Sequence, residues 1–455
     1  MGFLTLLPEL LDLILDYIDI RTDLLSLART CRFFAGYVLP DRLDYHTLVV
    51  TPYHEALWEN LCAHPQLARL VHNLTLYDDP LQVKPHTGKL RLPRGLGSSG
   101  HEYTLGRFDA EHIARSLAGM LNARRLHLLY IRKTNVETAL HVLPDTLRLV
   151  FENLPSLERV STMTNLGDED QNALASEHHP LWALSGLRSF EIDVNGGNET
   201  IWPAYEAVLR RSPEIENLRL PDFLDDEMMT RLCEIPLPHL KRFNRGYVWS
   251  ISMTPRIVDF LNAHPTIETL RWATVPSMPI PCSALPALQH LSSPNSSFLA
   301  MLLSRERQGS VHLSSMKDVP LNEELLPLLD AIDQDTMRSL HLGTLDNFDT
   351  LRALPQYFPN LEELALPRRG AWRENGQIVT RLARAVLRPW IRDLHLFTLE
   401  EALQLFPKLE VVKGVRCPVG LEPDWELDDE RAKDVLEEMR VAYPILRRVN
   451  RWRLR

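Results

Sequence analysis

Cysteine is scarce in this sequence of 455 residues, and its five copies are scattered along the chain. They are Cys31, Cys62, Cys233, Cys282 and Cys417. Because the number is odd and no C-x-x-C pair occurs, the pattern fits neither a disulfide framework nor a cysteine-based zinc site. It fits a reducing compartment, and we therefore expect a cytoplasmic or nuclear protein.

Long uninterrupted apolar stretches are missing as well. The apolar N-terminal segment is interrupted by Glu9, Asp12, Asp16 and Asp19, and no basic segment precedes it. A secretory signal needs a basic start, and a membrane span needs about 20 predominantly apolar residues. We therefore expect no membrane partner.

The sequence also lacks an excess of positive charge, since its formal net charge is -10. Nucleic-acid binding requires clustered lysine and arginine, so no nucleic-acid partner is expected. One basic cluster stands at the C-terminal end, and we interpret it as a solubilising cap on the last repeat rather than an anion site. It consists of Arg447, Arg448, Arg451, Arg453 and Arg455.

Convincing catalytic and metal-binding motifs are absent. Residues 95–100 satisfy G-x-G-x-x-G, but no apolar strand precedes them and no helix begins within them, so a flexible loop is favoured over a dinucleotide site. His178 and His179 beside Glu177 lack a suitably spaced third ligand. The sequence therefore predicts no catalytic residue, no metal and no cofactor, and the chain is not expected to be an enzyme.

The first 45 residues predict three short amphipathic helices. Pro8 suits the first turn of a helix, Asp23 is expected to cap a second helix, and a third should begin near Cys31 and end near Pro40. The apolar residues of the first helix recur at steps of three and four, which predicts a single apolar face. These residues are Leu7, Leu10, Leu11, Ile14, Leu15 and Ile18.

Three short helices cannot bury all of this apolar surface among themselves, so part of it should face a partner or the next domain. The run Leu7-Pro8-x-x-Leu11 with its later apolar spacing, followed by Asp23-Leu24-Leu25-x-Leu27 and Cys31-Arg32-Phe33, resembles an F-box over roughly residues 4–45. The alternative is that these leucines form the ordinary core of an N-terminal cap.

The F-box resemblance implies a Skp-type adaptor as partner and, through that adaptor, a cullin-based ubiquitin ligase. It also implies which positions would contact the adaptor, with the apolar side chains inserted into it. These positions are Leu7, Pro8, Ile14, Leu25, Leu27, Cys31, Arg32 and Phe33.

A second pattern recurs along the rest of the chain: proline, any residue, leucine or isoleucine, two residues, and then an apolar residue. Adjacent copies commonly stand 21 to 30 residues apart, which is the range of leucine-rich repeats. Matches at Pro8 and Pro327 fall in helical runs and are set aside. The remaining copies begin at Pro65, Pro155, Pro213, Pro238, Pro265, Pro286, Pro359, Pro389, Pro407 and Pro444, with proline-free copies at Ala123, Gly186 and Thr336.

Helical stretches separate these copies, so the predicted fold class is α/β. It combines an N-terminal three-helix module with an irregular leucine-rich-repeat solenoid that has parallel strands inside and helices outside. We expect helices at 109–120, 202–211, 225–235, 254–263, 322–332 and 398–406, and loops at 78–106 and 276–297. The expected divisions are residues 1–45, a first repeat with its loop at 46–108, and the array at 109–455.

Within L-x-L strands the middle side chain points away from the core. This places Arg219, Arg271, His341 and His395 on the open face of the sheet, where they would suit an acidic or phosphorylated partner segment. The alternative is ordinary solvation. The sequence thus predicts the substrate-recognition subunit of a Skp–cullin–F-box ubiquitin ligase with an unknown protein target. The competing hypothesis is a repeat scaffold without a ligase role.

Overall fold

The computed structural model describes most of the helices and strands, with gaps between them. Contacts within the chain divide it into two compact units, Met1–Leu240 and Lys241–Arg455. The described residues are 6–18, 20–39, 41–77, 92–94, 96, 109–129, 143–154, 156–162, 180–191, 201–220, 226–245, 255–272, 285–303, 311–346, 348–367, 373–374, 377–378, 399–413, 441, 444–449 and 452–453.

The first unit begins with four short helices: α1 (Pro8–Asp16), α2 (Arg21–Ala28), α3 (Arg32–Val38) and α4 (Asp41–Tyr45). The predicted start at Pro8 and the predicted third helix are confirmed. The predicted cap is wrong, because α2 begins two residues before Asp23, which lies in its first turn. An acidic side chain there still complements the positive end of the helix.

Alternating strands and helices form the rest of the first unit. Its strands are neighbours in chain order, and each pair is parallel. They are β1 (Thr47–Val50), β2 (Asn73–Tyr77), β3 (Arg125–Leu129), β4 (Arg159–Thr162), β5 (Ser189–Glu191) and β6 (Asn217–Leu220). The helices are α5 (Glu55–Ala63), α6 (Pro65–Ala68), α7 (Ala110–Gly119), α8 (Leu143–Asn153), a 3-10 turn at Pro180–Ala183, α9 (Trp202–Arg210) and α10 (Asp226–Cys233).

The second unit repeats the same alternation. Its strands are β7 (Arg242–Arg245), β8 (Thr269–Trp272), β9 (His290–Ser292), β10 (Ser315–Leu321), β11 (Ser339–Leu345), β12 (Glu363–Ala365), a separate antiparallel pair β13 (Arg373–Glu374) and β14 (Gln377–Ile378), then β15 (Val411–Lys413), β16 (Arg448–Val449) and β17 (Trp452–Arg453). Among them are α11 (Pro255–Ala263), α12 (Ser296–Leu302), α13 (Phe348–Ala353), α14 (Leu399–Leu405) and 3-10 turns at Leu326–Ala331 and Leu354–Gln356. The strands of the main sheet are parallel up to β16, and β17 returns antiparallel to it.

Sequential parallel strands joined by helical connections define a leucine-rich-repeat solenoid, so the predicted fold class is confirmed. The proline-led pattern also locates the strands. In most described copies its last apolar residue is a central, buried strand residue, and its earlier leucine or isoleucine packs in the turn before the strand. The buried strand residues are Val160, Leu218, Phe243, Leu270, Leu291, Leu364 and Val412.

Three departures from the pattern have local causes. The copy at Pro65 forms α6, and its strand begins only at Asn73. Strands β1 and β10 lack the proline signal and were not predicted. The loop expected at 276–297 is wrong in its second half, which contains β9 and the start of α12, because Leu288 and Leu291 are buried there. The copy at Pro389 lies outside the described residues.

Ion pairs connect the residues that directly precede neighbouring strands. Each joins an arginine before one strand to a glutamate before a neighbouring strand, at the level where the backbone hydrogen bonds between the two strands begin. The pairs are Arg124–Glu158 at 3.8 Å, Arg188–Glu216 at 3.6 Å, Arg338–Glu362 at 3.3 Å and Arg447–Glu410 at 2.9 Å. Exposed pairs contribute about 0–1 kcal/mol each to the free energy of unfolding, so their main effect is to favour the observed register between neighbouring strands.

A backbone irregularity in β10 depends on a glycine in β11. Asp318 has a positive φ of 59°, and the β10–β11 register shifts on both sides of Val319. A Cβ at Gly343 would lie 2.5 Å from the Asp318 carbonyl oxygen, closer than van der Waals contact permits. A side chain at position 343 would therefore force the two strands apart.

We expect Gly343→Ala to lower the free energy of unfolding of the second unit by about 1–3 kcal/mol, the usual cost of overpacking against a fixed backbone. Urea denaturation followed by circular dichroism measures the loss. Gly36→Ala is the control, because that position in α3 has open space around it. There alanine should stabilise the helix by about 0.5–1 kcal/mol. Equal stability of the Gly343→Ala variant and the unmodified chain would contradict the close approach.

Candidate functional site

The four N-terminal helices share a small apolar core. Ile18 and Leu27, among other partly buried residues, pack against it. Its central members are Leu15, Leu24, Ala28, Val38 and Leu43. This core uses only part of the apolar surface that these helices carry.

The predicted apolar face of α1 is only partly buried. Leu11 and Leu15 point inward and are 2% and 1% exposed. Leu7, Leu10 and Ile14 are 65%, 44% and 37% exposed. Since each residue turns the helix by about 100°, these three side chains form an outer stripe beside the buried one.

Further exposed apolar side chains accompany this stripe. Together they form what we call the N-terminal apolar surface: Leu7, Leu10, Leu13, Ile14, Tyr17, Ile20, Leu25 and Phe33. These eight compare with only three other exposed large apolar side chains in the described part of the chain, namely Leu121, Val441 and Ile445. Exposed apolar side chains are common singly, but their concentration in one short segment indicates an interaction surface.

The predicted adaptor-binding residues fall into two groups. Leu7, Ile14, Leu25, Arg32 and Phe33 are exposed. Leu27 and Cys31 are half-buried, with Leu27 packed against the core, and the side chain of Pro8 lies outside the described part.

Sequence reasoning missed four members of the surface as contact residues: Leu10, Leu13, Tyr17 and Ile20. Helical periodicity contained the signal for Leu13 and Tyr17. Each stands three or four residues from an exposed neighbour, Leu10 or Ile14, on the outer side of α1.

A polar network holds α1 in place without using the outer stripe. The Arg42 guanidinium pairs with Asp16 at 2.8 Å and also with Asp12. The Tyr37 hydroxyl donates to the Asp12 carboxylate at 2.9 Å, and burial, followed by this carboxylate, raises the pKa of Tyr37. The orientation of α1 is thus fixed from its polar side, which leaves the outer stripe free for contact.

The end of α1 is also tied to the first repeats. The His46 ring bonds through Nε2 to the Ile18 carbonyl at 2.8 Å and stacks on His72 with 4.6 Å between ring centres. The Arg124 guanidinium lies 5.4 Å from the centre of the Tyr17 ring. The residues at the C-terminal end of α1 therefore connect the helices to the first repeats.

The predicted target-binding residues have different surroundings. Arg219 is half-buried and follows Glu191 across the sheet, and its carbonyl accepts a hydrogen bond from Tyr205, whose pKa is raised by burial. His341 lies 2.9 Å from the Glu363 carboxylate. Arg271 is exposed on β8, and His395 lies outside the described residues.

In the described ranges no cluster of three or more histidine, cysteine or acidic side chains is placed to hold a metal. No helix in those ranges combines the length and apolarity needed to cross a bilayer. The motifs at 95–100 and 177–179 lie almost entirely outside them.

Comparison with known proteins finds matches only among solved structures. No family model matches the sequence, and no curated protein matches it. Among solved structures, the leucine-rich repeat-containing protein LegL7 from Legionella pneumophila is 14% identical, with a TM-score of 0.33, over 71% of this chain and 90% of that one. The TLR13–ssRNA13 complex is 14% identical, with a TM-score of 0.28, over 66% of this chain and 45% of that one. At such TM-scores neither similarity supports a conclusion, and the repeat architecture rests on the strand order.

Proposed function

We propose that this chain is the substrate-recognition subunit of a Skp–cullin–F-box ubiquitin ligase. The observation that carries the proposal is the N-terminal apolar surface, which leaves eight large apolar side chains exposed on a module with its own core. Apolar anchors of this kind dominate helix-mediated association. The F-box resemblance covers the same segment and names a Skp-type adaptor as the partner.

Different residues have different roles in this proposal. Leu7, Leu10 and Ile14 enter the adaptor from α1, while Leu25 and Phe33 extend the contact from α2 and α3. Arg42 and Asp12 keep α1 in the orientation that presents these side chains. The repeat array holds the target protein, and the reaction then depends on bringing the target close to a separately recruited conjugating enzyme.

The second candidate is a repeat scaffold whose N-terminal helices only cap the array. The hydrogen bond between His46 and Ile18, and the stack of His46 on His72, favour this alternative because they tie the module to the first strands. A cap protects the end of the array from solvent and has no partner of its own. The two candidates therefore differ in whether the module binds an adaptor.

Direct binding of the purified full-length chain to a purified Skp-type adaptor tests the proposal. We expect a one-to-one complex with a dissociation constant of about 1 µM or lower in isothermal titration calorimetry, an affinity common for helix-mediated interfaces. Co-elution in size-exclusion chromatography should accompany the heat signal. Separate elution without heat of binding would refute the ligase role and leave the scaffold.

A further inference from the structure

Four basic side chains lie on the open face of four consecutive strands in the second unit. Arg242 on β7 and His290 on β9 are in one row, and Arg271 on β8 and Lys317 on β10 are in the next. All four are exposed, whereas the residues that alternate with them are mainly buried. We call this set the β7–β10 basic patch.

Strand spacing fixes the distance between the charges of the patch. Neighbouring strands are about 4.8 Å apart, so two bases in one row, two strands apart, have backbones about 10 Å apart. Three residues of an extended chain cover the same distance. Asn244, Thr269 and Ser292 stand in the same rows and offer hydrogen-bonding groups between the bases.

Three bases of the patch have no ion-pair partner in the described part of the chain. Arg242, Arg271 and Lys317 form no ion pair with any carboxylate in the described residues. The Asp318 carboxylate lies within the patch, where it accepts a hydrogen bond at 2.7 Å from Ser292, the residue between Arg271 and Lys317, and forms no ion pair with any of the bases. Glu268 directly precedes β8 and lies beside Lys241, whose carbonyl accepts a hydrogen bond from the Glu268 backbone N–H.

The charged form of His290 is disfavoured, so the positive charge of the patch near neutral pH comes from Arg242, Arg271 and Lys317. Burial, then Lys317 and then Arg242 lower the pKa of His290, with Glu268 acting in the opposite sense. The next strands differ, because the Glu363 carboxylate lies against His341 and accepts from Ser339 at 3.1 Å. The available positive charge is thus concentrated on β7–β10.

We propose that the β7–β10 basic patch binds an extended, acidic protein segment whose phosphoserine, glutamate or aspartate side chains repeat about every three residues. This inference rests on the proposed role of the array in holding a target. A nucleic acid fits less well, because single-strand binding uses exposed aromatic side chains and the aromatic residues of these strands, Phe243 and Trp272, are buried. The net charge of -10 also opposes it.

Fluorescence anisotropy with labelled 12-residue peptides and the full-length chain tests the proposal. One peptide carries three phosphoserines three residues apart, a second carries glutamates there, and a third carries serines. We expect the two acidic peptides to bind and the serine peptide not to bind. Which of the two acidic peptides binds with the higher affinity distinguishes phosphate from carboxylate recognition.

Arg271→Glu with Lys317→Glu should weaken binding of the acidic peptides by about tenfold or more, because two attractive contacts become repulsive. Arg69→Glu with Lys408→Glu is the matched control: both side chains are exposed and the net charge changes equally. Unchanged peptide affinity in the patch variant, or an equal loss in the control, would overturn the proposal. Tighter binding of a 12-nucleotide oligouridylate at the patch would also overturn it. Adaptor binding is measured separately, so failure here leaves the proposed function testable.

Discussion

Replacing Leu10 and Ile14 together by aspartate is expected to weaken adaptor binding by about 100-fold or more while the chain stays folded. Each apolar anchor buried in an interface stabilises it by about 1.5–3 kcal/mol, and an unpaired carboxylate there adds a desolvation cost. Leu10 and Ile14 are 44% and 37% exposed and neither belongs to the N-terminal core, so the substitutions should leave that core in place. Titration calorimetry with the purified adaptor measures the loss.

The matched control is Leu121→Asp with Ile445→Asp. Both positions are exposed leucine or isoleucine outside the N-terminal apolar surface, and the net charge changes by the same amount. This variant should bind the adaptor like the unmodified chain. If the Leu10 and Ile14 variant kept full affinity, the adaptor would have to dock elsewhere. If it melted well below the unmodified chain, these side chains would belong to the core and the cap hypothesis would gain support.

The sequence could predict that α1 is too apolar for its core, but it could not tell which part of the apolar face is buried. Leucines at steps of three and four cover more than half of the helical circumference in α1. Which of them turn inward is decided by Arg42, which stands 30 and 26 positions after its partners Asp12 and Asp16. Such a tertiary contact leaves no periodic signal in the sequence.

The repeats were predictable for a different reason. Leucine or isoleucine in the turn and an apolar residue in the strand are needed at a fixed spacing to fill each repeat's core, so the pattern survives even when proline is lost. Strand β10 was missed because it lacks the proline signal, and its irregularity at Asp318, which Gly343 of the next strand accommodates, leaves no pattern in the sequence.

The basic patch on the open face was only partly predictable. Arg271 was identified from its L-x-L position, but its grouping with Arg242, His290 and Lys317 requires the register of four strands. That register places residues together that are up to 75 positions apart in the sequence (317 minus 242).

Trp272→Ala is expected to lower the free energy of unfolding of the second unit by about 3–5 kcal/mol, the cost of emptying a large buried aromatic site. Trp272 is fully buried and stacks on Phe298 with 5.6 Å between ring centres. It also contacts Phe243 at 6.1 Å, and the Arg245 guanidinium lies 5.5 Å from its ring. One substitution therefore removes contacts to β7 and α12 at the same time.

Hydrogen exchange followed by mass spectrometry can assign this loss to the second unit. Stability in repeat arrays is carried by contacts between neighbours, so exchange should accelerate in β7, β8 and α12 while β1 and β2 of the first unit keep their protection. Trp272→Phe retains an aromatic ring against Phe298 and should lose much less. If exchange accelerated equally throughout the chain, the two units would unfold as one. A substitution that destabilises the repeats of the basic patch would then also unfold the helices that carry Leu10 and Ile14.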